Sequence, residues 1–271
     1  MTSGGAGQAH PPAFDTTRAH QARVYDYLLG GKDNFEADRA AVDAWLEVDP
    51  GLPFTVRSNR AFLGRVVRYL TAEAGIRQFL DIGTGIPTAG NTHQVAQGIA
   101  PETRVVYVDY DPTVLAHARA LLISSEPGAT EYIDADVRDT GKILDQASQI
   151  LDFSQPVAIT LLALLHAVPD SDLPYDIVAG LLGAVPAGSY LAISHAGSDL
   201  LDAAKHDSLM GVADRMIQNK ITYRSREQLA PFFAGAELVE PGVVRVEEWR
   251  QDPGTVTTER STLWGAVGRK R

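Results

Sequence analysis

The 271-residue sequence predicts an α/β fold whose mostly parallel β-sheet is covered by helices on both faces. From Gln78 onward, short apolar runs alternate with segments of helical periodicity. The first run leads into a glycine-rich turn and the next two lead into aspartates, as strands do at the ligand-binding edge of such sheets. Near the C-terminus, only a short polar turn separates two further runs, which predicts an antiparallel pair.

The composition is that of a folded chain with one large domain or two small ones. Hydrophobic residues make up 45% of the sequence and charged residues 21%. The absence of cysteine excludes a disulfide scaffold, a cysteine-based zinc site and a cysteine nucleophile, and we predict no metal site. The formal net charge of −10 argues against nucleic acid as a partner.

The N-terminus shows neither a basic leader nor an apolar core of a signal peptide. Residues 1–16 are rich in glycine, alanine and proline, and we predict a flexible tail. The longest apolar stretch, around residues 157–165, is far shorter than the ~20 residues that a membrane helix needs. We therefore expect no membrane contact and a cytoplasmic location.

The helical periodicity of residues 17–75 predicts a helical cover. It precedes the sheet-containing domain, which we place at residues 76–271. Its first helix ends at Gly30-Gly31, and its third shows an apolar face opposite a row of arginines. The sheet domain is predicted to contain strands near residues 79–82, 104–109, 131–133, 156–163, 189–194, 243–246 and 262–267. The last two form the antiparallel pair.

The first predicted strand leads into the turn Asp81-Ile82-Gly83-Thr84-Gly85, which opens a helix. This is the context that a nucleotide-binding turn requires. The place of the third glycine in the dinucleotide fingerprint is taken by Thr88, which weakens the case for a pyrophosphate ligand. The alternative is a turn that only connects a strand to a helix.

Two acids follow the next strands at regular intervals. Asp109 comes 26 residues after Gly83, and Asp136 comes 27 residues after Asp109. At the carboxyl edge of such a sheet, the first can accept hydrogen bonds from ribose hydroxyls and the second from an adenine amino group. Either acid could instead cap a helix or lie in a solvated turn.

Together these motifs resemble the class I S-adenosylmethionine-dependent methyltransferases. More closely, the sequence is similar to a bacterial family of S-adenosyl methyltransferases without an assigned substrate. The segments that carry this closer resemblance are residues 23–34, 80–88, 91–93, 165–170, 188–191 and 194–195. The resemblance implies S-adenosyl-L-methionine as cofactor. It also implies a Rossmann-like, seven-stranded, mostly parallel sheet whose last strand is antiparallel.

For the methionine portion of the cofactor, the resemblance implies contacts with Asp81, Gly83 and Gly85. The start of the following helix, from Thr88 to Asn91, would add polar contacts.

For the nucleoside portion, the resemblance implies that Asp109 binds the ribose and that Tyr110 flanks the adenine. Asp136 would bind the adenine amino group, and Val137 would pack on the ring. Leu162, at the end of the fourth strand, would lie beside the sulfonium.

Further candidates lie outside these motifs. Arg60 is placed to reach a ligand carboxylate, and Asn34 follows a turn that could deliver it to the mouth of the site. If the acceptor must lose a proton, His166, His195 and Tyr25 are the candidate catalytic bases. Structural roles are the alternatives. Either histidine could be tied to loop backbone, Tyr25 could be a half-buried core residue, and Asn34 could be a turn residue.

The sequence thus predicts a methyltransferase that acts on a small molecule. Methyl transfer from a sulfonium depends mainly on alignment of the two reactants, so the sequence carries little sign of the acceptor. The alternatives are a non-catalytic protein that binds S-adenosylmethionine or S-adenosylhomocysteine and, less favoured, an NAD(P)-dependent oxidoreductase.

Overall fold

The computed structural model describes residues 15–121, 128–217, 220–255 and 257–271. The predicted tail, residues 1–16, lies almost wholly outside this range. Within the described residues, no helix is long and apolar enough to cross a membrane.

A mixed sheet forms the centre of the fold. Its strands are β1 (Gln78–Ile82), β2 (Arg104–Asp109), β3 (Ala129–Asp134), β4 (Ala158–Leu162), β5 (Tyr190–Ala196), β6 (Ala236–Leu238), β7 (Val244–Arg245) and β8 (Leu263–Lys270). They are arranged in the order β3-β2-β1-β4-β5-β8-β6, and β7 pairs with β8. Strands β1 to β5 are parallel and β8 is antiparallel to β5, which confirms the predicted fold class.

The described residues form eight strands where seven were predicted, and the difference lies at the C-terminal edge of the sheet. The apolar run at residues 243–246 yields only the two-residue β7, and β6 lies before it along the same side of β8. β6 was not predicted, because three residues at a sheet edge, two of them exposed, give no apolar alternation that a sequence pattern could reveal.

The helices cover both faces of this sheet. They are α1 (Gln21–Leu28), α2 (Glu36–Val48), α3 (Leu52–Arg68), α4 (Thr92–Ile99), α5 (Pro112–Leu121), α6 (Thr140–Ala147), α7 (Pro174–Gly183), α8 (Ala203–Met216) and α9 (Arg226–Leu229). Consecutive strand residues face opposite sides. Phe79 and Val105 belong to one buried cluster, whereas Leu80 and Val106 belong to the other. Burial on both faces explains why the central strands β1, β4 and β5 are mostly apolar.

The N-terminal helices pack in two ways. α3 lies on the sheet through Phe62 and Val66, within the same buried cluster as β1 and β2. α1 and α2 pack instead with α8, where Val24, Val42 and Leu209 share a separate small core. This arrangement leaves α1 lying across the carboxyl edge of the parallel strands.

Candidate functional site

A cavity lies at the carboxyl ends of β1, β2 and β4, and α1 and α3 form its roof. Its non-atom space, which includes the open solvent at its mouth, is about 1130 Å³. Most of the predicted site residues line it: Tyr25, Arg60, Asp81, Gly83, Gly85, Thr88, Asn91, Asp109, Tyr110, Val137 and Leu162.

The turn after β1 depends on two glycines in left-handed backbone conformation, Gly83 at φ 74° and Gly85 at φ 66°. Gly83 also has no room for a side chain, because a Cβ there would lie 2.6 Å from Leu164 Cδ1. The turn is fixed to β2. Gly83 N donates to Val108 O at 2.8 Å, and Gly85 N donates to Asp109 Oδ2 at 2.9 Å.

Asp81 is buried at the end of β1, where two hydroxyl groups hold its carboxylate. Thr92 Oγ1 donates to Oδ2 at 2.6 Å and Thr160 Oγ1 donates to Oδ1 at 2.7 Å. Burial raises the pKa of Asp81 in spite of these bonds. The neighbouring elements therefore fix this side chain in the cavity wall without help from a ligand.

Asp109 is buried at the end of β2 and accepts three backbone hydrogen bonds. Tyr110 N and Asp111 N donate to Oδ1 at 2.8 and 3.0 Å, and Gly85 N donates to Oδ2. Burial is the main cause that raises the pKa of Asp109. Because Oδ2 accepts one of these bonds and Oδ1 two, Oδ2 keeps a lone pair for a further donor.

The structure does not bring Asp136 into the cavity. Its carboxylate accepts from Arg138 Nη1 at 2.9 Å, and its Oδ1 also accepts from Arg138 N at 2.9 Å. Arg138 is held in turn by Asp172 at 2.7 Å. The arginine two residues downstream therefore engages the carboxylate, while buried Val137 between them lines the cavity.

Polar groups from α3 and from the start of α4 converge at one end of the cavity. Arg60 Nη2 donates to Ala89 O at 3.2 Å and to Asn91 Oδ1 at 3.3 Å. Asn91 Oδ1 also accepts from Thr88 N at 3.2 Å. A guanidinium beside a helix N-terminus is an arrangement suited to a carboxylate ligand.

Tyr25 is fixed by polar contacts to α3. Its hydroxyl accepts from Asn59 Nδ2 at 2.9 Å and donates to Val56 O at 3.3 Å. Burial raises the pKa of Tyr25 to about 12, so the phenol keeps its proton at neutral pH and does not suit the role of a general base. In the described part of the chain, two buried oxygens of cavity-lining residues have no hydrogen-bond partner, Asn59 Oδ1 and Thr88 Oγ1.

α1 is tied to the end of β2 by His20, which the sequence analysis did not single out. His20 Nδ1 lies 2.6 Å from Asp111 Oδ2. Burial alone would raise the pKa of Asp111, but hydrogen bonds from His20 and Thr113 lower it to about 2. The neighbouring α2 also holds α1, because Arg23 Nε donates to Asp38 Oδ2 at 2.9 Å.

Gln21 is a second cavity residue that the sequence analysis missed. Its Nε2 lies 2.8 Å from Ala163 O and 2.5 Å from His166 Nε2. Gln21 and Tyr25 are four residues apart, which places them on one face of a helix. That spacing is the signal by which Gln21 could have been found.

The two candidate histidines are absent from the described lining of the cavity. His166 is 8% exposed and its Nε2 contacts Gln21. His195 is fully buried; its Nδ1 contacts Ala196 O at 2.9 Å, and its Nε2 accepts from Arg224 Nη1 at 2.8 Å. Burial lowers the pKa of His166 to about 4 and that of His195 to about 3. The contacts with Ala196 and Arg224 occupy both ring nitrogens of His195.

Asn34 also lies outside the described cavity lining. Its Nδ2 donates to Asp26 Oδ2 at 2.9 Å and to Gly31 O at 3.0 Å, while its Oδ1 accepts from Arg39 Nη1 at 3.1 Å. These contacts close the turn after α1, which matches the structural alternative considered for this asparagine.

A family model described as S-adenosyl methyltransferase matches residues 7–271. The chain belongs to the S-adenosyl methyltransferase family. Its fold, its cavity and this match together make it an S-adenosylmethionine-dependent methyltransferase. S-adenosyl-L-methionine is accordingly its cofactor, as the sequence predicted. No curated protein matches the chain.

Solved structures agree with the family membership. A DUF574 family protein from Streptomyces avermitilis is 44% identical, with a TM-score of 0.89 over 95% of this chain and 100% of its own. A Thermobifida fusca protein with a provisional methyltransferase assignment is 41% identical, with a TM-score of 0.86 over 96% of this chain and 98% of its own. An Anabaena variabilis S-adenosylmethionine-dependent methyltransferase, 16% identical with a TM-score of 0.53, shares the fold over 86% of this chain and 95% of its own.

Proposed function

We propose that the enzyme methylates a small molecule within the roofed cavity at the carboxyl edge of the sheet. The observation that carries this proposal is the roof itself. α1 and α3 contribute Gln21, Tyr25 and Arg60 to the same cavity that Asp81 and Asp109 line from below. A site enclosed between a sheet edge and two helices suits a compact acceptor better than the surface of a macromolecule.

The unsatisfied polar groups of the cavity fit S-adenosylmethionine. The cofactor carries an ammonium and a carboxylate at its methionine end, and it supplies an electrophilic methyl group when bound. Asn59 Oδ1 can accept from the ammonium, and Thr88 Oγ1 can donate to the carboxylate. Both atoms are buried without a partner in the described residues, which is costly unless a ligand completes them.

The charges of the cavity also favour this cofactor. Three carboxylates line it, those of Asp26, Asp81 and Asp109, against the single guanidinium of Arg60 among the described residues. A cavity with an acidic excess attracts a ligand with a sulfonium and an ammonium and repels a dinucleotide pyrophosphate. This is a physical reason to set the NAD(P) alternative aside.

We propose the following roles for the cavity residues. Arg60 of α3 and Asn91 at the start of α4 hold the carboxylate of the cofactor beside the glycine turn. Oδ2 of Asp109 accepts from a ribose hydroxyl, and Tyr110 and Val137 enclose the adenine. Leu162 lies beside the sulfonium. The contact of Asp136 with the adenine amino group stays a prediction that requires Arg138 to release the carboxylate.

We also propose that residues 17–75 act as the cover of the active site, residues 76–271 as the cofactor-binding domain, and residues 1–16 as a tail. The contacts of α1 with the ends of β2 and β4 support the first of these roles. The cytoplasmic location is part of the same proposal and rests on the sequence expectation.

The test combines binding and turnover. Calorimetric titrations of the full chain with S-adenosylmethionine, S-adenosylhomocysteine and NAD⁺ should show binding of the first two only. When a panel of small amines, alcohols and carboxylic acids is then tested, at least one should be methylated, with formation of S-adenosylhomocysteine. Binding without turnover on any acceptor would favour the non-catalytic alternative.

A further inference from the structure

The side-chain amide of Gln21 occupies a position between two hydrogen-bond acceptors at the end of β4. Its Nε2 lies 2.8 Å from Ala163 O and 2.5 Å from His166 Nε2. Gln21 and Ala163 both line the cavity, and Leu162 precedes Ala163 in its wall. Because Leu162 is the residue proposed to lie beside the sulfonium, this nitrogen would lie on the side from which the methyl acceptor approaches.

The hydrogens of this contact follow from the carbonyl. A backbone carbonyl only accepts, so the Gln21 atom beside Ala163 O is taken as the amide nitrogen. Its two hydrogens then supply one bond to Ala163 O and one to His166 Nε2. In that arrangement His166 Nε2 is an acceptor and the proton of the neutral ring lies on Nδ1, which is buried without a hydrogen-bond partner among the described residues. Together the two acceptors match a nitrogen that carries two hydrogens.

The backbone at Ala163 is in a conformation that non-glycine residues rarely adopt. Its φ is 51°, in the left-handed region. Ser194 holds it there, because Ala163 N donates to Ser194 Oγ at 2.8 Å and to Ser194 O at 3.1 Å. Strained residues persist where surrounding contacts fix them, often at functional sites. The result here is a carbonyl oxygen directed at Gln21.

We propose that Ala163 O and His166 Nε2 together bind the nitrogen of the methyl acceptor, a neutral primary amine, and that the Gln21 amide fills this position until the acceptor replaces it. The inference rests on the proposed methyl transfer to a small molecule. It adds the chemical class of the acceptor and two atoms that recognise it.

The number of hydrogens distinguishes an amine from a hydroxyl group. A primary amine can donate to both acceptors and still direct its lone pair at the methyl group. A hydroxyl group has one hydrogen, so one acceptor would stay without a partner. Leaving a buried acceptor unsatisfied corresponds to a loss of about 5- to 150-fold in affinity.

The chemical step needs no proton acceptor. The amine lone pair forms the new N–C bond while the S–C bond breaks, and its electron pair stays on sulfur. The nitrogen becomes positively charged, keeps both hydrogens and leaves as a methylated ammonium ion. Burial and the nearby Arg224 lower the pKa of His166 to about 4, so its Nε2 stays an acceptor at neutral pH throughout.

The surroundings indicate the body of the acceptor. The lining of the same cavity includes the apolar side chains of Leu29, Leu63, Leu164 and Ala167. Asp26 and Asp81 line the same cavity, and they disfavour an anionic acceptor. An amine on a small apolar body fits these surroundings.

The experiment compares aniline, phenol and toluene, which share one shape and differ in the group offered to the two acceptors. Each is titrated calorimetrically into enzyme saturated with S-adenosylhomocysteine. Gln21→Ala removes the competing amide, and Gln146→Ala, on the exposed face of α6, is the matched control. In Gln21→Ala we expect aniline to bind about 5- to 150-fold more tightly than phenol. Wild type and the control should bind aniline more weakly than Gln21→Ala.

A second variant tests the histidine. Adding His166→Phe to Gln21→Ala removes one acceptor but keeps a ring, and it should reduce aniline binding to the level of phenol. If melting curves show that this double variant is unfolded, a crystal structure of Gln21→Ala with S-adenosylhomocysteine and aniline decides. The aniline nitrogen should lie within hydrogen-bond distance of both Ala163 O and His166 Nε2.

The outcomes separate the two proposals. If S-adenosylhomocysteine does not bind, the proposed function fails and this inference fails with it. If it binds but aniline and phenol bind Gln21→Ala equally, or aniline does not bind, or its nitrogen lies elsewhere, only the amine site is overturned. Gln21 would then be a purely structural contact between α1 and the end of β4.

Discussion

At the scale of single residues, Asp81 and Asp109, whose carboxylates line the cavity, are held by hydrogen bonds within the protein. Asp109 accepts three backbone hydrogen bonds, and Asp81 accepts two hydroxyl bonds. These contacts orient each carboxylate before a ligand arrives, which lowers the entropic cost of binding. They also mean that neither residue can be removed without a cost to the protein itself.

We predict that Asp109→Ala weakens S-adenosylmethionine binding by about 10- to 150-fold, because a hydrogen bond to a charged group is lost. The ligand-free protein should lose about 1–3 kcal/mol of unfolding free energy, because buried amides lose their acceptor. Titration calorimetry and urea unfolding measure the two effects. Asp134→Ala, at the exposed end of neighbouring β3, is the control. Unchanged affinity in Asp109→Ala would place the ribose elsewhere.

A second residue-scale prediction concerns Arg60 and the cofactor carboxylate. Arg60→Met should weaken S-adenosylmethionine binding by about 10-fold or more, because a charged hydrogen-bond donor is lost. Decarboxylated S-adenosylmethionine should bind the variant and the wild type equally. Arg57→Met, an exposed arginine on the same helix, should leave both ligands unaffected. Equal losses for both ligands would contradict the assignment.

At the scale of elements, α1 connects three parts of the molecule. Arg23 binds Asp38 on α2, His20 binds Asp111 after β2, and Gln21 binds Ala163 after β4. The sequence suggested a hinge at Gly30-Gly31. In the structure this turn is held by hydrogen bonds to Asp26. Movement of the cover must therefore break the contacts of Arg23, His20 and Gln21.

We predict that S-adenosylmethionine slows amide hydrogen exchange in residues 17–34. The physical reason is that α1 roofs the cavity, so a ligand beneath it adds contacts that opening must break. Hydrogen-exchange mass spectrometry of the full chain with and without saturating cofactor measures this. Residues 140–147 of α6, away from the cavity lining, should exchange at an unchanged rate. Equal exchange of residues 17–34 in both samples would show that α1 is not coupled to the site.

A second element-scale feature is the clamp that Arg224 forms on the segment after β4. This buried arginine donates two bonds to Asp170 Oδ1 and one each to Leu165 O, Val168 O and His195 Nε2. All of its donor hydrogens are thus used within the protein. The clamp holds the segment that carries His166 and begins at Ala163.

We predict that this clamp makes the fold sensitive to acid. Burial lowers the pKa of His195 to about 3, so between its ordinary value and about 3 the unfolded chain binds more protons. The unfolding free energy should therefore fall as pH decreases below about 6.5, by up to roughly 1.4 kcal/mol per pH unit from this residue. Urea unfolding at neutral pH and at about pH 5 measures this pH dependence of the unfolding free energy. His195→Gln should reduce the dependence.

At the scale of the whole molecule, the net charge of −10 and the acidic excess of the cavity act in the same direction. Both attract a cationic cofactor and repel polyanions. A small acceptor therefore agrees with the electrostatics of the molecule as well as with the roofed cavity.

We predict that neither DNA nor RNA binds tightly to this enzyme, because an acidic surface cannot replace the counterions of a phosphate backbone. Fluorescence anisotropy with labelled single-stranded and double-stranded oligonucleotides should show no saturable binding at low salt. Tight binding that weakens steeply with added salt would contradict the small-molecule proposal.

The sequence by itself determined the class of fold and the central part of the cavity. Strand periodicity and the glycine turn after β1 are local signals, because a backbone turn and a strand end each depend on a few consecutive residues. For this reason the sequence alone assigns Asp81, Gly83 and Asp109 to one edge of the sheet. The antiparallel pairing of β8 with β7 was also predicted from the sequence, because the turn between the two runs is too short for a parallel crossover.

Only the tertiary structure decided what lies opposite that edge. Gln21 and Asn59 are ordinary helix residues in sequence, and the packing of α1 and α3 places them in the cavity. His195 showed the reverse: it follows a strand run as a catalytic base could, yet Arg224, 29 residues later, takes its lone pair. Contacts between residues far apart in the chain depend on how helices pack, and no local pattern records that packing.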